Sequence, residues 1–384
     1  MRERFSPSSL FFAALAAGIV TAALMMTGTP QAQTGAERKA AQDAAVPASE
    51  IPFHALWSAS PHARSEDEAF RHWDKEGKIP VPCARCHSLP GFLDYLGADG
   101  STAGVLDGPA PTGSLITCNA CHNPQAKKLS EVVFPSGARV ADLGAEARCM
   151  ACHQGMESGA SVDRAVMQIE DDTVEPKLGF INVHYRAAGA TLYGAVVRGG
   201  YEYPGKRYHG RFRHPEPFNR CTACHEPHST EVRVQECAAC HRSVTDKASL
   251  RRIRFSKADF DGNGNTSEGI AQEIANLHAR LLAAIMAYGR TVAGKPIVYD
   301  AHAFPYFFND TNGNGVADKG ETIVPNRYNA WTPRLLKAAY NYQFVAKDPG
   351  AYAHNPVYTL QILHDSLADL GARVKVELAG SERP

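Results

Sequence analysis

Cys221-Thr-Ala-Cys224-His225-Glu226-Pro227-His228-Ser-Thr-Glu-Val-Arg-Val-Gln-Glu-Cys237-Ala-Ala-Cys240-His241 carries one short pattern twice within 21 residues. Three more copies lie upstream: Cys83-Ala-Arg-Cys86-His87, Cys118-Asn-Ala-Cys121-His122 and Cys149-Met-Ala-Cys152-His153. Together the five copies use all 10 cysteines of the 384-residue chain. C-x-x-C-H is the attachment signature of c-type haem. Residues i, i+3 and i+4 share one face of a helical turn. Two thiols can therefore form thioethers to the two vinyl groups while the imidazole reaches the iron. Zinc ribbons, disulfides and redox dithiols also use C-x-x-C, but none requires the following histidine. Histidine is 16 of 384 residues, so five chance placements have a probability on the order of one in ten million.

These five motifs, with local patterns such as Cys224-His225-Glu226-Pro227-His228, resemble the multihaem cytochrome c families over roughly residues 51–245. Those proteins are bis-histidine electron carriers whose polypeptide wraps a haem array. The resemblance implies a mainly α fold with extensive irregular loops, five covalently attached haem c groups and a role in electron transfer. The spacing by itself shows only haem attachment. The iron would be held on one side by His87, His122, His153, His225 and His241, beside thioethers from Cys83 and Cys86, Cys118 and Cys121, Cys149 and Cys152, Cys221 and Cys224, and Cys237 and Cys240.

Eleven histidines remain for the opposite sides, whereas only Met150, Met156, Met167 and Met286 follow the N-terminal apolar run. Bis-histidine ligation is therefore expected, with lower potentials than His/Met iron. The candidate distal ligands are His62, His184, His214, His228 and His354. His228 follows His225 too closely to share its iron, so it is expected on a neighbouring haem. His184 and His214 fill the long gap between the third and fourth motifs. His354, in Ala353-His354-Asn355-Pro356, resembles the His-Asn-Pro-x-Tyr pattern of multihaem cytochromes and is expected to open a helix through Leu367. His54, His72 and His302 rank lower, and His278 and His364 read as structural residues of amphipathic helices.

Arg2 and Arg4 precede an apolar run from Leu10 to Met26. Residues 1–33 thus read as a signal peptide or N-terminal anchor, residues 34–50 as a linker, 51–250 as the pentahaem region and 251–384 as a helical C-terminal region. The expected location is periplasmic or extracellular.

The C-terminal region contains no cysteine. Asp310, Asn312, Asn314, Val316, Asp318 and Glu321 occupy the ligand positions of a 12-residue EF-hand-like loop, with Gly315 at the turn, so one calcium ion is expected. Asp259-Phe-Asp261-Gly-Asn263-Gly264-Asn265 begins alike, but Ile270 stands at the closing position, which Glu268 or Glu273 would have to fill. Ile270, Ile274, Leu277, Leu281, Leu282 and Ile285 recur at helical spacing, and further helices are expected from Pro333 to about Val345 and from about Pro356 to Leu370. The cluster Phe304 to Phe308 reads as core.

Lys plus Arg and Asp plus Glu are each 40, which leaves no basic excess for a phosphate backbone, and nucleic acid is not an expected partner. The leading functional reading is an exported pentahaem carrier working between a quinol-linked or periplasmic donor and a terminal reductase or extracellular acceptor. No catalytic residue is assigned. An alternative is a reductase of nitrite, hydroxylamine or a sulfur oxyanion with one open haem. A second is a homo-oligomeric haem filament.

Overall fold

Ile270, Ile274, Leu277, Leu281 and Ile285 line the buried face of the longest helix, Ile270–Thr291, in the computed structural model, which describes residues 48–384. Their 3.6-residue recurrence puts one apolar stripe on one side. Two further helices pack on it. Thr332 caps Pro333–Ala346 by accepting from the Leu335 N–H, and Asn355 caps Pro356–Leu370 by accepting from the Tyr358 N–H. Each has proline at its first position, where no donor is lost. All three helices were expected at nearly these bounds.

One expectation differs. His354 does not open the last helix but closes a separate short one, Ala351–His354. Pro356 forces the residue before it out of the helical region, and Asn355 accordingly sits at φ −162° and ψ 78°.

The described residues are mainly helical with little strand. Three two-stranded antiparallel ribbons join Lys78–Ile79 to Ala110–Pro111, Val132–Val133 to Arg139–Val140, and Ile297–Tyr299 to Phe307–Asn309. Among the described residues no helix is long and apolar enough to cross a membrane. Residues 1–33 and most of the expected linker lie outside the described residues, whose first element is the 3-10 turn Ala48–Glu50.

Phe53–Pro384 forms one compact unit. Its largest core draws on both the motif-bearing segment and the C-terminal helices: Val162, Val197 and Tyr201 share it with Leu281, Tyr340, Tyr358 and Leu363. Each such large apolar side chain contributes roughly 1.5–3 kcal/mol on burial. Polar staples cross the same boundary. Asn341 accepts from the Tyr201 N–H at 2.6 Å and donates to the Tyr201 carbonyl at 3.0 Å. Fully buried Asp365 gathers Lys206, Arg383 and the Tyr208 hydroxyl. Gly159 allows a close backbone approach, since a Cβ there would lie 2.2 Å from the Gly200 carbonyl oxygen. Of the aromatic cluster, Tyr306, Phe307 and Phe308 are core, while Phe304 is 63% exposed.

His278 is structural. It stacks on Tyr342 with centroids 3.9 Å apart, and Nε2 lies 2.8 Å from the Tyr342 carbonyl. Burial lowers its pKa from 6.5 to about 4. The folded state therefore holds this ring neutral. Its contribution is complete above the unfolded pKa of 6.5 and is lost as pH falls towards 4, by up to about 3 kcal/mol. Chemical denaturation of His278→Gln and the parent from pH 7 to pH 4 should show the smaller acid loss in the variant; equal losses would remove this assignment.

Candidate metal centres

Each motif uses a helical turn to bring its two thiols to one side. Cys83, Cys86 and His87 end the helix Val81–His87, and the second motif is itself the helix Cys118–His122. Cys149 lies near the end of Glu146–Met150, Cys221–Cys224 is a single turn, and Cys237 lies in Val234–Ala238. None of the ten thiols is in a disulfide.

The motif histidines face imidazoles from distant segments. Ring centroids are 6.4 Å apart for His153 and His62, 6.2 Å for His122 and His228, and 6.3 Å for His225 and His354. His87 and His184 have centroids 5.7 Å apart and Nε2 atoms 3.4 Å apart. His214 is near enough to His241 that, after burial, that ring is what lowers its pKa. Metal–imidazole bonds of roughly 2 Å on opposite sides of one ion, extended by about 1.2 Å to each ring centre, separate centroids by roughly 6.3 Å. The residues fit an iron between two imidazoles. The 122/228 rings are nearly parallel at 4°, whereas the 225/354 rings are turned by 40°.

A cleft of about 250 Å³ is lined by Cys83, Cys86, His87 and His184 together, with Val133, Phe134 and Met156 as apolar wall. Both thiols of the first motif and both imidazoles thus line one cleft, together with Cys152 of the third motif.

Second partners orient these rings. Nδ1 of His87 lies 2.7 Å from the Ala69 carbonyl, that of His153 is 3.1 Å from the Arg186 carbonyl, and that of His225 is 3.2 Å from the Thr230 carbonyl. Nδ1 of His228 meets Glu226 at 3.1 Å. A donor at Nδ1 leaves the Nε2 lone pair for a metal. Burial and then the facing His153 lower the pKa of His62 to about 4. Burial, His87 and Lys347 do the same for His184, also to about 4. Both rings are neutral, the ligating form.

The other histidines face no motif imidazole, although His72 and His87 pack on the same Trp73 ring. His72 is exposed and held by Glu68 at 2.7 Å, His302 is exposed, His54 lies beside Trp57, and His364 approaches Asp365. His209 lies beside Phe212.

Thiols of different motifs adjoin. The Cys152 thiol lies near that of Cys86 and donates to the Arg85 carbonyl at 3.8 Å, and the Cys221 thiol lies near that of Cys149 and donates to Glu146 at 3.2 Å. Arg148 of the third motif's helix donates to the Cys121 carbonyl at 2.7 Å. Glu146 accepts from the Cys221 N–H at 2.9 Å, and the Arg233 N–H donates to the Cys224 carbonyl at 2.8 Å. The third motif therefore touches the first, second and fourth, and the fourth adjoins the fifth.

In the Asp310–Glu321 loop, Asp310 accepts from the Gly313 and Gly315 N–H groups at 2.7 and 2.9 Å. Both glycines have positive φ, 74° and 77°. Asn314 accepts from the Val316 N–H, and Asn312 and Asn314 both reach Asp318. Glu321 turns inward at 5% exposure; its Oε1 accepts from Thr311 and Asn312, while Oε2 is buried with no partner. In the other loop it is Glu273, not Glu268, that joins Asp259 and Asp261, with ligand atoms within 4.8 Å of one another. There the Arg254 guanidinium already pairs with Glu273, and Phe260 N–H donates to it at 2.7 Å.

Sequence reasoning missed Asp348, which is 3% exposed and lies 2.8 Å from Nδ1 of His354. A carboxylate six residues before a histidine carries no motif; only the fold, by turning the chain at Gly350, makes the contact.

Two curated proteins are similar to this chain. C-type polyheme cytochrome OmcB of Geobacter sulfurreducens, in strains DL-1 / KN400 and PCA, is 28% identical over 359 residues, covering 78% of this chain and 45% of the relative. C-type polyheme cytochrome OmcC of the PCA strain is 28% identical over 360 residues, covering 77% and 43%. The chain thus spans less than half the length of these relatives. No family model matches, and no solved structure matches. The similarity supports a multihaem c-type cytochrome.

Proposed function

We propose that this chain is an exported pentahaem electron carrier with five bis-histidine sites. The observation that carries this reading is the facing of four motif histidines with separate imidazoles: 87 with 184, 122 with 228, 153 with 62, and 225 with 354; His214, near His241, would complete the fifth. The paired cysteines of each motif would hold haem c covalently and the two imidazoles would hold its iron. Haem c, when bound, supplies a one-electron iron couple.

The chain's own part is positioning. Backbone carbonyls at Ala69, Arg186 and Thr230 fix three motif rings, so the ligand field changes little between oxidation states. Val133, Phe134 and Met156 give the first site an apolar wall. The buried Lys347 ammonium stands 3.7 Å from the Tyr185 ring and 4.0 Å from the Tyr306 ring, near His184. A fixed cation there favours the reduced state of the first site. Contacts of the third motif with three others make that site the junction of the array, with the fifth reached through the fourth. Partners would be redox proteins: a quinol-linked or periplasmic donor and a terminal or extracellular acceptor. Covalent haem attachment outside the cytoplasm is the reason for reading the chain as exported.

A calcium ion in the Asp310–Glu321 loop belongs to the same proposal, held by Asp310, Asn312, Asn314, the Val316 carbonyl, Asp318 and Glu321. The buried, partnerless Glu321 oxygen supports it, since leaving such a group unsatisfied costs about 1–3 kcal/mol or more.

A pyridine haemochrome assay should give five haems per chain, and carbon monoxide should leave the spectrum of the dithionite-reduced protein unchanged. A count other than five removes the pentahaem reading. Binding of about one carbon monoxide per chain would mark an open iron and turn the function towards a reductase.

A further inference from the structure

Asp348 is the most deeply buried acid beside any of the ten paired imidazoles. It is 3% exposed, and its Oδ1 and Oδ2 lie 3.0 and 2.8 Å from Nδ1 of His354. Among the described residues His354 is its only ion-pair partner. The adjacent Lys347 points away, over the Tyr185 and Tyr306 rings. The Gly350 N–H donates to Oδ1 at 3.1 Å. Gly350 has no room for a side chain, because a Cβ would stand 2.6 Å from His354 Cε1. The imidazole is thus wedged between a glycine and a carboxylate, with Nε2 left for the side facing His225.

The other sites differ. His87 and His153 have neutral backbone carbonyls at Nδ1, as does His225, the fourth site's own motif histidine. His228 has Glu226, whose side chain is 23% exposed and so better screened by water. A carboxylate hydrogen-bonded to the far nitrogen of a ligating histidine fixes its tautomer and strengthens it as a donor. A buried negative charge also favours the more positive oxidation state of a nearby metal.

From this geometry we infer that Asp348 is a positioning residue that makes the fourth site, His225 with His354, the lowest-potential member of the array. The inference rests on the proposed assignment of His354 as an iron ligand.

The test is spectroelectrochemistry of the full-length, haem-loaded protein. His354→Met identifies the fourth site, because thioether ligation raises the potential of its iron. The step displaced should be the most negative of the five. Asp348→Asn keeps an acceptor at Nδ1 but removes the charge. It should raise that same step by at least a tenfold change in its redox equilibrium, about 59 mV for one electron, with five haems and low-spin spectra retained. Asp348→Glu should restore the parent value.

If His354→Met moves a step and a fully loaded Asp348→Asn does not, this inference fails while the ligand assignment stands. If His354→Met changes neither spectrum nor potential, the assignment fails and takes the inference with it. Should Asp348→Asn not load five haems, the His354→Met result decides: displacement of any step other than the most negative overturns the role given to Asp348.

Discussion

His62→Ala is expected to leave one iron in five without its sixth ligand, so that the reduced protein gains about one carbon monoxide site per chain where the parent has none. His62 sits in the 3-10 turn Pro61–Ala63, which Pro61 starts at a fixed φ. Its ring centroid is 6.4 Å from that of His153, the motif histidine of the third site. Burial and the facing ring keep it neutral, with a pKa near 4, so its lone pair is available at any physiological pH. Met150, inside the third motif, is buried in the core, and Met156 lines the His87/His184 cleft. His72→Ala and His302→Ala, both at exposed positions, should leave the low-spin spectrum unchanged and serve as controls. Absence of carbon monoxide binding in His62→Ala would break the 153/62 assignment. Because the third motif touches the first, second and fourth, the same variant should also shift the potentials of neighbouring sites more than His214→Ala, at the far end beyond the fourth, does.

The five motifs were legible because the attachment chemistry confines each to a single helical turn, where local spacing is the geometry. The three long C-terminal helices were legible for a similar reason. The stripe from Ile270 to Ile285, Thr332 before Pro333 and Asn355 before Pro356 are local signals of face and cap. Which imidazole faces which motif is another kind of fact. His87 meets His184 across 97 residues of chain, and no spacing encodes that. His228 was the exception, since its closeness to His225 excluded one iron and implied a neighbour. The order of the sites was illegible because it depends on contacts such as Cys152 with Cys86 and Glu146 with Cys221, which arise only once the loops pack. Between the two acidic loops, pattern matching favoured Asp310–Glu321. Convergence of carboxylates occurs instead at Asp259, Asp261 and Glu273, where no local pattern marks Arg254 as the source of the positive charge.

Chelating calcium is expected to lower the thermal midpoint of the haem-loaded protein by roughly 3 °C, and Glu321→Gln should abolish the response. Asp310 and Glu321 are each 5% exposed, and two carboxylates so placed need more than loop N–H donors to balance their charge. Glu321 Oε2 has no partner. An ion present at 100 times its dissociation constant stabilises the folded chain by about 2.7 kcal/mol, and at about 2.1 cal/mol/K of unfolding entropy per residue each kcal/mol moves the midpoint by a little over ~1 °C in a 384-residue chain. Magnesium should substitute poorly, because Asp310, Asn312, Asn314 and Asp318 form a many-oxygen, flexible loop and magnesium demands a tight octahedron. Asp259→Asn should leave the calcium response intact. Its cluster is already balanced by Arg254, and Asp259 itself accepts from the Gly262 and Gly264 N–H groups at 2.7 Å each. Metal analysis of the purified protein should find one calcium per chain. A midpoint indifferent to chelator, with no calcium found, would leave Asn312 and Asn314 as turn residues that bind Asp318 and nothing else.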